Sequence, residues 1–437
     1  MSSPFPTPLP KRQVAVLWFL QLSEPVANSV IYPFVNELVK SLPITGGDPK
    51  RVGYYVGIIE SSFFFVECLC VLHWGRLSDI VGRKPVILVG LCGFWLLQAF
   101  AMLVFSRCLA GLTNGNIGVI KSAIGEISDS TNVALAFKYM PLCWPLGETI
   151  GPLIGGYLSN PANRYPGTFD TAFWLANPYL LPCIVAAIFP AIGAVITAMF
   201  FQETHPNPHT IKALYRSRRA VSDPESRPLL PHSESFHVHQ SFRSVFTPRV
   251  LITVVNYCML ALVNIGYSVL QPLFLSTPIE LGGLGLGPDA IGKILGAQGI
   301  GSALVLLLLS SKLQGKFGVK RTFSLAMVSF LINFACFPVI NSVARLAQEQ
   351  PEVRWMVWAV VALQITCFTV VTIAYGCIFV MITNAAPSKS LLGCTNGLAQ
   401  TAASLMRAIG PAGATALFAV SVDKTLLLED GPVSIHR

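Results

Sequence analysis

The chain has 437 residues, of which 53% are apolar and only 12% are charged, and its mean hydropathy is +0.61. Soluble domains carry roughly 25% charged residues, so this chain cannot cover itself with a water-facing surface. That excludes a soluble enzyme, a nucleic-acid binder and a disordered scaffold. The net charge of +9 fits basic cytoplasmic loops, because Lys and Arg resist translocation.

Apolar runs long enough to span a bilayer occur in chain order at Val14–Phe34, Gly53–His73, Val86–Val104 and Val104–Ile120. They continue at Tyr139–Leu158, Pro178–Phe201, Arg249–Phe274, Ala290–Ser311, Phe323–Ile340, Met356–Asn384 and Cys394–Val420. Polar backbone is costly in hydrocarbon, so each run is expected to be a helix. The stretch between the sixth and seventh runs, residues 202–248, is polar, rich in Pro and Ser, and holds five of the seven histidines, His205, His209, His232, His237 and His239. It reads as a flexible cytoplasmic linker; the histidines are too scattered to suggest a metal site. With the amino terminus inside, inside segments carry about twice as many Lys and Arg as outside ones, which supports that orientation. The polar, Pro-rich start, Met1 to Pro10, does not read as a signal peptide.

The eleven cysteines lie in apolar stretches with no C-x-x-C pair, so neither a disulfide framework nor a zinc site is expected. Gly151-Pro152 and Gly410-Pro411 recur six spans apart, as do basic loops after spans two and eight. This weak symmetry fits two parallel six-helix repeats around a midplane binding site.

Three motifs carry chemistry. The first is Gly75-Arg76-Leu77-Ser78-Asp79-Ile80-Val81-Gly82-Arg83-Lys84-Pro85, where Gly75 and Gly82 would permit a tight turn between spans two and three. The second is Gly147-Glu148-Thr149-Ile150-Gly151-Pro152-Leu153-Ile154-Gly155-Gly156. Its glycines at four-residue spacing let helices approach closely, and Pro152 frees a backbone carbonyl. The third is Arg107-Cys108-Leu109-Ala110-Gly111-Leu112-Thr113-Asn114-Gly115. An arginine at this depth costs several kcal/mol, roughly 3 on insertion scales, unless paired, so Arg107 needs an acidic partner. Glu24 in span one ranks first and Glu60 in span two second; Glu67, nearer the cytoplasmic end, is expected only to snorkel. Glu148 is an extra charge. Arg407 is the only cation inside the later spans and is expected to contact either a backbone carbonyl or an anionic ligand. Gln298, Asn256, Asn264 and Gln271 could line a polar cavity or bond between helices.

These motifs resemble those of the major facilitator superfamily: the loop between spans two and three, the antiporter motif G-x-x-x-G-P-x-x-G-G (Gly147, Gly151, Pro152, Gly155 and Gly156), and R-x-x-x-G-x-x-x-G. Leu22–Pro25, Gly111–Lys121 and Asn396–Pro411 look like the fungal and plant branch of drug:proton antiporters, near the tetracycline-resistance-like and zinc-induced-facilitator-like groups. The likeness covers roughly residues 14–422. It implies that Gly75, Asp79, Gly82, Arg83 and Lys84 form a conformational-switch loop, with Asp79 facing the start of span eleven. It also links Arg107 to proton transfer.

Two features depart from that pattern. Val86 to Ile120 is short for two spans and a turn, which need roughly 40 residues, and only eleven of twelve expected spans are found, since Ser421 to Arg437 cannot span. Both suggest an incomplete copy or a true eleven-span variant with its carboxyl terminus outside.

The expectation is therefore an all-α membrane protein of the major-facilitator type, monomeric, with a six-helix bundle (residues 1–201), a linker (202–248) and a second bundle (249–437). Proton-coupled export of a small organic compound is expected. Glu24, Glu60, Arg107, Glu148 and Arg407 are the candidates for coupling and transport; protons, substrate and lipid are the partners. No cofactor, metal, nucleic acid or enzymatic activity is implied. Uptake of a nutrient or metal chelate, and a truncated regulatory isoform that does not transport, remain the alternatives. The host membrane would be the plasma or vacuolar membrane.

Overall fold

A computed structural model describes residues 8–46, 48, 51–98, 107–108, 110–112, 114, 116–128, 132, 140–204, 245–387 and 392–429. Among them the chain is helical, with no strand. The principal helices are α1 (Lys11–Ser29), α2 (Val35–Ser41), α3 (Arg51–Val81), α4 (Arg83–Gln98), α5 (Asn116–Glu126), α6 (Cys143–Leu158) and α7 (Leu180–Phe200). After the linker region come α8 (Pro248–Ser276), α9 (Pro288–Leu308), α10 (Ser310–Phe317), α11 (Val319–Glu349), α12 (Arg354–Ala385) and α13 (Leu392–Glu429). Residues 205–244, which include the five histidines, lie outside the described part.

Seven helical stretches among the described residues are long and apolar enough to cross a membrane: Arg51–Val71, Leu180–Phe200, Pro248–Ser276, Pro288–Leu308, Val319–Glu349, Pro351–Ala385 and Thr395–Val422. The other expected spans overlap α1, α4, α5 and α6, which do not meet that length and hydropathy among the described residues. Helix α5 runs past Ile120, where the fourth expected span ends, to Glu126, and α4 begins at Arg83 rather than Val86. The helical stretch is thus longer than its apolar core, because helix ends tolerate polar residues where they reach the interface.

The apolar surface of these helices points outward. Ile184, Ile188, Ile192, Val195 and Met199 form an exposed stripe along α7, and Leu331 and Leu417 are 71% and 72% exposed. In water such a surface would be unfavourable, and in a bilayer it is the matching one. Helix α1 packs on α6, α7 and α5, and α4 on α7; α8 packs on α13 and α12, and α11 and α9 on α12. The most extensive contacts between these groups are α3 with α13 and α6 with α9, and α2 and α3 also touch α8.

Both extensive contacts depend on residues without bulk. A Cβ on Gly156 would lie 2.6 Å from the Pro288 carbonyl oxygen and 3.0 Å from Gly292 Cα. One on Gly57 would lie 3.0 Å from Ala412 Cα. Nearby, the Ala412 amide, one residue beyond Pro411, donates to Ser61 Oγ at 3.1 Å. An Arg164–Asp289 pair at 3.7 Å adds a polar contact at the same end.

Candidate functional site

Arg107 sits where a helix from the first group faces α1 and α3. Its Nη2 donates to Glu60 Oε1 at 2.6 Å and its Nη1 to Asn28 Oδ1 at 2.8 Å. The guanidinium lies 5.8 Å from the centre of the Phe63 ring. Arg107 is 6% exposed and Glu60 0%. The arginine therefore finds its acid in Glu60, not in Glu24, the expected first choice. The cause is positional: Glu60 of α3 and Asn28 of α1 converge on the guanidinium, whereas Glu24, one turn earlier on α1, accepts from Asn114 Nδ2 at 2.9 Å. Glu60 Oε2 and Arg107 Nε have no hydrogen-bond partner among the described residues, so the pair is bonded on one edge only.

Glu24 lines a small cavity of about 20 Å³ with Ser23, Gly90, Asn114, Asn116 and Pro190. A cavity of that size with several polar walls can hold one water. Arg407 and Lys121 lie within reach of the Glu24 charge. Glu67 is 3% exposed and its Oε2 has no hydrogen-bond partner among the described residues. It does not snorkel; it points inward, within reach of Glu24 and Arg407.

Arg407 is half-buried on α13. Among the described residues it contacts a phenol rather than a backbone carbonyl: Nη2 lies 3.4 Å from Tyr257 Oη, and the Tyr375 phenol stands close by. Tyr257 in turn donates to Gln400 Oε1 at 3.2 Å. From the first group of helices, Lys121 Nζ lies 5.0 Å from the Phe379 ring centre. The two halves of the sequence thus face each other through charge and aromatic surface. Of the amide candidates, Gln271 Nε2 donates to Gln298 Oε1 at 2.8 Å between α8 and α9, an interhelical bond, and Asn256 bonds the Ile252 carbonyl on its own helix.

The glycines of the second motif divide their work. Cβ atoms at Gly147, Gly151 and Gly155 would collide with Pro25, Val26 and Ser29 of α1 and with Val30 just beyond it, while Gly156 faces α9. Ser29 Oγ donates to the Gly147 carbonyl at 3.0 Å. Pro152 lies inside α6. Glu148 accepts from Trp144 Nε1 at 2.7 Å.

The loop of the first motif is shorter than expected. Helix α3 continues through Gly75 to Val81, and only Gly82 breaks the helix, with φ of +105°. Gly82 alone makes the turn, since that φ disfavours a side chain. Glu203 covers it, accepting from the Arg83 amide at 2.8 Å and the Lys84 amide at 3.0 Å. A carboxylate there meets the free N–H groups and positive dipole end of α4. The Arg83 guanidinium bonds Glu126 Oε1 at 2.7 Å and also Ser78 Oγ. Lys84 Nζ reaches the Ala198 carbonyl at 2.9 Å, and Thr204 Oγ1 donates to Glu126 Oε2 at 2.6 Å. Glu126, Glu203 and Ser78 were not singled out from the sequence: a lone Glu after a span has no local signal, and its partners lie far along the chain. The side chain of Asp79, expected to face span eleven, lies outside the described ones.

A sequence model described as Major Facilitator Superfamily matches residues 17–411. Among curated proteins, a major facilitator-type transporter psiT2 of Psilocybe cyanescens is 29% identical, covering 97% of this chain and 87% of its own. The major facilitator superfamily multidrug transporter mfsB of Aspergillus fumigatus is 30% identical over 92% of this chain and 77% of its own. Among solved structures, the human organic anion transporter MFSD10 (TETRAN) superposes with a TM-score of 0.61 at 18% identity, over 96% of this chain and 99% of that one.

Proposed function

The chain belongs to the major facilitator superfamily, and on that premise we propose that it exports a small organic compound in exchange for protons. The moving parts are two bundles, residues 1–201 and 249–437, joined by the cytoplasmic linker 202–248. They rock about the α3–α13 and α6–α9 contacts so that the space between them opens to one side at a time.

The observation that carries this reading is the buried Arg107–Glu60 pair with Asn28. A proton arriving from the acidic side neutralises Glu60, the charge-assisted bond to Arg107 weakens, and α3 is released from the Arg107 segment. Because α3 also carries the contact with α13, a change at Glu60 reaches the second bundle without an intermediary. Glu24, with its water-sized cavity and Asn114, is the relay from the central space. Arg407, Tyr257, Tyr375 and Lys121 line the pathway between the bundles. Gly82, Arg83, Lys84 and Glu203, with Gly75 and Asp79 on α3, hold the cytoplasmic ends together and release them as the bundles rock. The name of the A. fumigatus relative, a multidrug transporter, agrees with export of a drug-like compound. The plasma and vacuolar membranes both hold the proton gradient this requires.

Expression in a host stripped of its own exporters tests the reading. Cells carrying the chain should accumulate less of at least one toxic organic compound, and a protonophore should abolish the difference. Exclusion that persists when the proton gradient is collapsed contradicts proton coupling.

A further inference from the structure

The coupling pair and the Glu24 relay leave two interior carboxylates unused, Glu67 and Glu148, and Glu148 is the one set among aromatic groups. Glu148 lies in the middle of α6 and is half-buried. Its direction follows from its neighbours on the helix. Gly147, Gly151 and Gly155 face α1, and Thr149, Leu153 and Gly156 face α9. Leu146 and Tyr157 are exposed on the lipid side. At 100° per residue, Glu148 stands about half a turn round the helix from Leu146 and Tyr157, and so it points into the space between α1 and α9.

Its hydrogen-bond partner is a neutral donor, the Trp144 indole N–H at 2.7 Å. The ion pairs among the described residues go elsewhere, to Asp48, Glu60, Glu126 and Asp289. The phenols of Tyr32 and Tyr375 lie within reach of its charge, and Tyr375 comes from the second half of the chain. An ionised carboxylate inside a membrane needs a cation. Among the described residues no cation pairs with it, yet the Trp144 indole bonds it directly and the phenols of Tyr32 and Tyr375 stand within range of its charge, groups whose ring faces attract ammonium.

We propose that Glu148 is the counter-charge for a protonated amine on the transported compound, with Trp144 and Tyr375 receiving its aromatic part. The inference rests on the transport reading and gives it a substrate class, an aromatic amine. It also assigns separate duties: Glu60 with Arg107 handles the driving proton, and Glu148 reads the cargo.

The test uses the full chain in lipid nanodiscs and three probes that share a phenyl ring: phenethylamine (cationic), N-acetylphenethylamine (neutral) and 3-phenylpropionate (anionic). The wild type should bind the amine at least tenfold more tightly than the other two. Glu148→Gln should lose that preference while keeping its melting temperature without ligand, and Glu148→Asp should retain part of it. If Glu148→Gln binds the amine as the wild type does, or if the wild type binds the neutral or anionic probe equally well or binds none, the assignment is overturned. Flux in proteoliposomes separates the two readings. Amine binding that needs Glu148, in a protein showing no proton-driven flux, would sink the transport reading and leave the site standing. Proton-driven flux with amine binding intact in Glu148→Gln would sink the site alone.

Discussion

Arg107 and Glu60 meet at 2.6 Å in a place where neither side chain is more than 8% exposed. Removing one partner of such a pair strands a buried charge and costs about 3–5 kcal/mol, whereas replacing both is far milder. Arg107→Ala should therefore lower the melting temperature of the detergent-purified protein strongly, and the double variant Glu60→Gln/Arg107→Gln should recover most of the loss. Equal destabilisation by single and double variants would show that the two side chains do not act as a pair.

The approach of α6 to α9 has no room for a side chain at Gly156. Overpacking a close contact costs roughly 1–3 kcal/mol, charged here against the state in which this end is shut. Gly156→Val should shift the population toward the state open at that end. Spin labels placed on α3 and α13 near Gly53 and Ala419 should report a longer distance than in the wild type. An unchanged distance distribution would mean that α6 and α9 do not limit the opening.

Glu203 caps the first amides of α4 and covers the turn at Gly82. Loss of an N-terminal cap costs about 0.5–2 kcal/mol. Glu203→Ala should loosen the turn between α3 and α4, seen as faster amide exchange at Arg83 and Lys84, with Glu203→Gln intermediate. Exchange that stays slow in Glu203→Ala would mean that the amides are held by other acceptors.

On the opposite side, burial pushes the Glu37 carboxyl above the usual carboxylate range, while Lys40 and Arg164 pull it back. A raised carboxyl favours the neutral form in the folded protein. Its contribution to stability is present below the ordinary carboxylate value, about 4.3, and is lost as pH rises through the raised value. Glu37→Gln should remove this part of the pH dependence of thermal stability. Melting curves of the two proteins that stay parallel from pH 4 to 7 would contradict it.

Much of the helical layout is legible from apolar runs, because a bilayer leaves the backbone little alternative. The need of Arg107 for an acid is legible for the same reason. Which acid it takes is not: Glu24 and Glu60 are both interior carboxylates, and the choice depends on the rotation of α1 against α3. Gly75 and Gly82 look alike in sequence, and only the backbone angle at Gly82 separates the turn from the helix. Glu67 reads as near the surface by position, but its face of α3 turns inward toward Arg407. Phenols took the place expected for a backbone carbonyl at Arg407, because Tyr257 and Tyr375 come from two other helices, α8 and α12.

The account turns on protons driving transport through Glu60. The direct measurement is flux in proteoliposomes with an imposed pH gradient, using a compound that the expressing cells exclude, for the wild type and for Glu60→Gln at matched protein amounts. The account predicts gradient-driven movement of the compound against the proton flow in the wild type and its loss in Glu60→Gln, with exchange in the absence of a gradient still measurable. Full gradient-driven flux in Glu60→Gln would contradict it.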